Sequence, residues 1–486
     1  MDDLPIVDRR GTRLESSRYG QKGKHMMRSL GGRRSRRLAP TVLAGLCVTL
    51  AVTACAGGGS PSGGSTGSAN SGNITWWGWT PTVQGAQAYI KAFNKVHPNI
   101  HVTFKEITIA GYDAAMRPAL VSSAGPDVFD IAPGGGIGSI AELAADTINL
   151  QPTIAKALGP DWKSKIAPIG PAGLTKDGKL AALPIGSTFA GNLWINQDLF
   201  SKYHLTPPTT LASWAHVCSV FKAHNVGCFV QGAGQVAFNQ DTLQSISDSV
   251  QPGVWTRASK GQASWDNPTI VKALTIWKQM FSDGIMEKGA LGLQQYPDAN
   301  NDFLSEKYAM VMMGTWYMQY ATAAGMPAAI SAAGVGNPKP FTMIAIPFPD
   351  VAGAGHPASM YGDADYGIAV NSQSSHQAAA TTFATWLTTS KVGQQAVANL
   401  LNDIPSLTGV QPDWSTVKLV SNAMQQPNLQ HLIAGTTTST EPRLSLVSAN
   451  LQQAIGVAST TVAAGSATPA QAAATLAKTM QSQSSS

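Results

Sequence analysis

Charge is scarce in this chain: Asp, Glu, Lys and Arg together make up 12% of its 486 residues. Carboxylates are too sparse for any paired-acid motif to stand out, as a glycosidase centre would require. The nine histidines are scattered. His97 and His101 sit four apart, but they lack an HExxH frame and fall on a helix end and a strand rather than on one helix face. A clustered metal site is therefore not expected. Gly63-Gly64-Ser65-Thr66-Gly67 matches G-x-S-x-G only formally, because a nucleophile needs a strand-to-helix turn and this stretch is low-complexity. Short internal repeats are missing as well. Cysteine is rare, with four copies at Cys47, Cys55, Cys218 and Cys228.

The surplus of positive charge is local. The whole chain carries 33 basic and 27 acidic residues, but 11 of the basic and 4 of the acidic ones lie in residues 1–54, leaving 22 against 23. The basic pI thus belongs to the N-terminal segment, and the remainder offers no field for nucleic acid. Within that segment, the basic run Arg28 to Arg37 precedes the apolar run Leu38 to Ala54, and small residues lead up to Cys55. This is the pattern of a secretory signal with an upstream extension. The apolar run is too short, and interrupted by Pro40, for a spanning helix of roughly 20 residues. Val52-Thr53-Ala54-Cys55 resembles a bacterial lipobox, which makes Cys55 the expected lipidation site. Ala56 to Gly72 is a Gly/Ser tether, so residues 55–72 are expected to leash a globule to a membrane. Cys218 and Cys228 then remain in an oxidising compartment, where a disulfide is a plausible pairing; two buried thiols acting as small hydrophobes are the competing reading.

From about Asn73 the chain alternates strand and helix. Ile74-Thr75-Trp76-Trp77 reads as a strand, and Ala86, Ile90, Phe93 and Val96 recur at helical spacing. Ile100, Val102 and Phe104 alternate as a second strand, and Val128 to Ile131 as a third. Strands joined by helices predict a parallel, helix-covered sheet. Later, Asn267-Pro268 starts a helix with Ile270, Leu274, Trp277 and Phe281 along one face. Ala309 to Met313 reads as a buried strand leading into Trp316. The fold class is α/β.

Several segments resemble the extracellular solute-binding family that includes maltose-binding protein. Phe93 to Val102 resembles the passage F-x-x-x-x-P-x-I-x-V, and Gly125 to Val128 resembles G-P-D-V. Asp177 to Pro184 (DGKLAALP), Trp194 to Phe200 (WINQDLF), Pro207 to Leu211 and Phe303 to Trp316 (FLSEKYAMVMMGTW) resemble further family segments in the family's order. The resemblance implies a two-lobed, periplasmic-binding-protein-like fold with a hinge and an interlobe cleft. By analogy residues 73–186 and 313–358 would form one lobe, and 187–312 and 359–486 the other. It also implies a lipoprotein of an ABC importer, with permease subunits as partners, no cofactor, and a monomeric state.

All 12 tryptophans lie beyond residue 75. An indole covers the C–H face of a sugar ring while amides, carboxylates and Arg bind its hydroxyl rim. Ligands in open parallel sheets sit beyond the carboxyl ends of strands, which singles out Trp79 and Trp316. Trp316 also falls on the family's G-x-W tryptophan, which in sugar-binding members often stacks on ligand. Tyr361, Asp363, Asp365 and Tyr366 crowd where the chain should re-cross the hinge, and polar groups buried there need partners. Asp127, Thr188 and Gln231 are further candidate ligand contacts, with Gln84, Ser187, Gln235 and Arg443 as softer ones. Carbohydrate capture outside the cell membrane is the expected function. A lipid-anchored glycosidase, a receptor for a polyamine or amino acid, and a sugar sensor without a transporter are the alternatives.

Overall fold

The computed structural model describes residues 67–287 and 289–484. The expected export signal, Cys55 and the tether up to residue 66 lie outside the described residues.

The first sheet has the order Ile100–Glu106, Gly72–Gly78, Val128–Ile131, Gly367–Val370, Leu183–Pro184. Its first three strands are parallel, and Gly367–Val370 runs antiparallel to both its neighbours. The helices Val83–Asn94 and Tyr112–Leu120 make the crossovers. Thr82 caps the first of these by accepting from Gly85 N–H, and Ala86, Tyr89 and Phe93 bury one stripe at three- and four-residue spacing. Of the expected stripe Ala86 and Phe93 are buried, whereas Val96 lies beyond the helix end and is 54% exposed, and Tyr89 is buried in place of Ile90.

The second sheet has the order Met343–Pro347, Asn192–Asn196, Tyr308–Met312, Gly227–Val230. Both its faces are covered, and side chains alternate between two cores as the two-residue period of a strand requires. Leu193, Ile195, Met310 and Met312 enter one core, whereas Trp194, Val311 and Met343 enter the other. A Cys218–Cys228 disulfide ties the helix Leu211–Ala223 to the strand Gly227–Val230. The helix Pro268–Ser282 starts at Asn267, whose side chain accepts from Thr269 and Ile270 N–H, and it buries Ile270, Leu274 and Trp277.

Between the two sheets lies a three-stranded connector, Tyr361–Ala364, Gly186–Ala190, Ile404–Pro405, with Gly186–Ala190 in the middle and antiparallel to both neighbours. The chain passes between lobes at these three strands. Gly191 makes the turn into the second lobe at φ +95°, where a Cβ would also stand 2.5 Å from the Ser359 carbonyl oxygen.

The sheet pairing corrects the expected division of the chain at two segments. Within 313–358, Met343–Pro347 pairs with Asn192–Asn196, so this segment belongs to the second lobe and not the first. Within 359–486, Gly367–Val370 pairs with Val128–Ile131, and the helices Gln377–Thr389 and Lys391–Leu400 pack on the first core. The physical reason is that Tyr317, Met318, Met326 and Ile330 pack into a core of the second sheet and Met343–Pro347 adds to that sheet's edge, so the chain leaves this lobe only at Tyr361.

Candidate functional site

A cleft of about 460 Å³ opens between the lobes, over the connector. The first lobe supplies Trp79 and Thr80 just past the strand Gly72–Gly78, and Glu106 at the end of its parallel neighbour. The second lobe supplies Phe238, Tyr296, Asn300, Trp316, Gln319 and Tyr320, and the crossings bring in Asp365 and Asn402. Arg443 closes the lining. The cleft continues past Glu106, Asn300, Gln319 and Tyr320 into a wider hollow of about 900 Å³.

The two indoles approach from opposite lobes. Trp79 stands edge-on to Tyr112 at 4.7 Å between centroids, and its ring rests on Gly138, where a Cβ would come within 2.5 Å of it. Its backbone N–H donates to Asp130 at 3.1 Å, and Trp76 Nε1 donates to the same carboxylate at 2.7 Å. Trp316 folds back over Gly314, where a Cβ would lie 2.1 Å from its ring, so only glycine permits this rotamer. Its Nε1 donates to Tyr296 Oη at 3.2 Å, and the Arg443 guanidinium lies 4.5 Å from its ring centroid.

Arg443 is held from behind. Its Nε and Nη2 donate to the two carboxylate oxygens of Asp241 at 2.9 and 2.8 Å. Burial works against the guanidinium's charge, but Asp241 outweighs it and the pKa rises above the usual arginine value. The loop carrying Arg443 is fixed by Asp363, whose Oδ2 accepts the amides of Arg443, Leu444 and Ser445 at 2.9, 2.5 and 2.9 Å.

Asp365 accepts from Thr188 Oγ1 at 2.8 Å at the cleft floor. Burial pushes its carboxyl up, opposed by Thr188 and Arg443. Asp403 behind it is pushed up further by burial and then by the Asp365 charge, while Asn402 Nδ2 donates to it at 2.7 Å. A neutral acid beside an ionised one is the arrangement those two carboxyls favour. Across the cleft mouth, partial burial raises Glu106, and Tyr320 opposite is pushed up to about 12 by burial and by Glu106. Among the described residues Glu106 has no hydrogen-bond or ion-pair partner, so its oxygens are free to accept.

Of the expected ligand contacts, Trp79, Trp316, Asp365 and the softer candidate Arg443 line the cleft, and Gln84 lines the wider hollow it opens into. The others serve behind it or elsewhere. Thr188 orients Asp365, and Tyr366 lies buried behind Trp79 at 6.1 Å. Tyr361 bonds Ser245 at 2.9 Å and the Asp241 carbonyl. Asp363 builds the Arg443 loop. Gln231 accepts from Thr242 at 2.6 Å and donates to the Phe238 carbonyl at 3.2 Å, so it braces the helix start rather than a ligand. Asp127 lies away from the cleft: it accepts from Thr75 N–H at 2.8 Å, Ser374 Oγ at 2.5 Å and His376 Nδ1 at 3.2 Å, pinning a strand start to a helix start. Glu106, Tyr296, Asn300, Gln319, Tyr320 and Asn402 were not expected. Glu106 obeys the same strand-end rule as Trp79, and Gln319 and Tyr320 lie one helical turn past Trp316, so both signals were present in the sequence.

Two α/β lobes, three crossings and a polar-rimmed aromatic cleft define the class of two-lobed binding proteins. The chain belongs to the bacterial extracellular solute-binding protein family, whose profile matches residues 62–394. It is similar in structure to a protein from the thermophilic bacterium Caldanaerobius polysaccharolyticus studied for xylan utilization (TM-score 0.66, 20% identity, covering 84% of this chain and 99% of that one). The GacH receptor of Streptomyces glaucescens, solved unliganded and with acarbose, superposes with a TM-score of 0.63 at 20% identity over 85% and 98% of the two chains. The maltose/maltodextrin-binding domain MalE of Bdellovibrio bacteriovorus, bound to maltotriose, gives 0.60 at 18% identity over 85% and 100%. No curated protein sequence matches the chain.

Proposed function

We propose that this protein is the capture component of an ABC importer, leashed outside the cell by a lipid on Cys55, and that it binds a carbohydrate between its lobes without chemical change. One observation carries the reading: Trp79 and Trp316, from different lobes, line one cleft together with hydroxyl-binding groups. Apolar faces meet the C–H faces of a sugar, while Glu106, Asp365, Arg443 and the amides of Asn300, Gln319 and Asn402 suit its rim. A ligand touching both lobes favours a closed arrangement over an open one, because it reaches the second lobe's contacts only on closure. Similarity to structures solved with acarbose and maltotriose supports the same class of ligand. Arg443 is already engaged by Asp241, which argues against the free cation that an amino-acid carboxylate would demand.

The test is a thermal-shift and tryptophan-fluorescence screen of the purified protein against sugars, polyamines and amino acids. A response to sugars, with every sugar recovered intact, is expected. A response confined to polyamines or amino acids would overturn the assignment, and release of shorter sugars would make the protein a hydrolase.

A further inference from the structure

Two carboxyls meet where the chain crosses between the lobes. Asp365 directly follows the strand Tyr361–Ala364, and Asp403 directly precedes Ile404–Pro405. Ala364 and Ile404 both pair with Ser187, one from each side of the middle strand. The two acids thus come together over that strand from its opposite flanks, and their side chains interact directly. Thr188 Oγ1 holds Asp365 from the same strand at 2.8 Å. A Cβ on Gly186 would stand 2.6 Å from the Asp403 Cβ, so glycine leaves the room that Asp403 needs.

Asp365 lines the cleft, whereas Asp403 does not and is 2% exposed. Asn402 ties Asp403 to both lobes. Its Nδ2 donates to Asp403 Oδ2 at 2.7 Å and to Thr80 Oγ1 of the first lobe at 3.4 Å, while Gln319 of the second lobe donates to its Oδ1. The surroundings offer little to a second negative charge. Tyr89 on the helix Val83–Asn94 and Tyr366 face Asp403, yet both phenols and Asp403 Oδ1 have no hydrogen-bond partner among the described residues. Asp130 on Val128–Ile131 is a further acid on that side, occupied by Trp76 and Trp79. Tyr296 and Arg443 face Asp365 from the second lobe, and Asp241 already holds the guanidinium through two bonds. Burial raises both acids, and the Asp365 charge raises Asp403 further. Such a pair keeps one proton far more readily than it gives up both.

We propose that Asp403 is a positioning residue for ligand capture: it shares one proton with Asp365, and that proton holds the two outer crossings together when the lobes close. Asp365 is the ionised partner facing the solute, and Asp403 the neutral one behind it. Asp365 and Asn402 line the cleft, so the pair lies on the side of the connector that closure compresses. Closure brings the carboxyls together and strips water from Asp365; opening separates them. The pair therefore binds its proton more tightly in the closed arrangement, and closure takes a proton up. Affinity is full at acid pH and falls as pH rises toward the raised value of Asp403. The inference concerns the hinge and holds for any solute that enters the cleft; the carbohydrate reading supplies only the first probes.

Titration calorimetry on the purified protein, from about pH 5.5 to about pH 9, tests this with maltotriose, xylotriose and chitotriose. For the sugar that binds, Kd is expected to rise at least about tenfold across the range, since one linked proton gives up to about tenfold per pH unit. Binding heats compared in phosphate and Tris buffers are expected to report proton uptake. Asp403→Asn, which keeps the shape but cannot ionise, is expected to flatten the rise to less than about threefold. A folded Asp403→Asn protein with the wild-type slope overturns the inference. So does a loss of affinity that is equal at every pH, which would make the residue structural only. If that variant does not fold, the wild-type buffer comparison decides, and binding without proton uptake overturns the inference. Failure of the three sugars alongside binding of a polyamine or an amino acid removes the carbohydrate reading alone, and the same profile run on that solute decides the role of Asp403.

Discussion

Trp316 answers to two neighbours at once, since Tyr296 fixes its edge and Arg443 covers one face. The remaining surface is what a ligand could use. Trp316→Ala is expected to weaken sugar binding by more than about tenfold, or roughly 1.4 kcal/mol, by calorimetry. An unchanged constant would assign the indole to packing alone. Asp241 exerts its effect from further back. Its side chain and that of Arg443 are 2% and 10% exposed, so removing the carboxylate leaves a cation with little access to water. Asp241→Ala is expected to cost about 3–5 kcal/mol in urea unfolding, a penalty for the stranded charge rather than the worth of the pair. Neither partner announces the other in sequence, because 202 positions separate them. That distance is why Arg443 ranked only as a soft candidate and Asp241 was not a candidate at all.

The helix Val236–Val250 is the element that sequence pattern misrepresents most. From Phe238 to Ser249 every residue is buried, although most are polar. A helix of this composition reads as solvent-facing by amphipathicity. Distant segments supply partners to many of its side chains, Ser459 to Asn239, the Arg443 loop to the amide nitrogens of Gln240 and Gln244, and Tyr361 to Ser245, while among the described residues Ser247 Oγ and the Oε1 atoms of Gln240 and Gln244 have none. Asp248 on this helix is pushed up to about 8, first by burial and then by Glu441. Because the folded value exceeds the ordinary one, its protonated form favours the native state at acid pH, and that contribution fades as pH rises through about 8. Asp248→Asn should therefore match the wild type near pH 4 and exceed it above pH 8, as urea midpoints will report; a difference independent of pH would refute this. Cysteine was easier to read. The Cys218–Cys228 pairing closes a short loop, and Cys218→Ser should lower stability by about 2 kcal/mol in thermal unfolding.

At the scale of the molecule, ligand binding to a clamp has two signatures. Sugar at a hundredfold excess over its dissociation constant should add about 2.7 kcal/mol to unfolding stability. It should also shrink the radius of gyration in small-angle scattering, and an unchanged radius would mean that the cleft fills without closure. The alternation of strand and helix was plain from periodicity, as was the strand Tyr308–Met312 in its apolar run. The lobe boundaries were not. The connector strands Tyr361–Ala364 and Ile404–Pro405 are short, and pairing partners far along the chain decide which sheet the flanking segments join. Those strands lie side by side and are hydrogen-bonded into one ribbon. Bending any of them drags the other two, which leaves the lobes essentially a single coordinate of relative travel. A solute that restrains one crossing is therefore expected to restrain all three, and Asp365, at the end of one of them, is within its reach in the cleft.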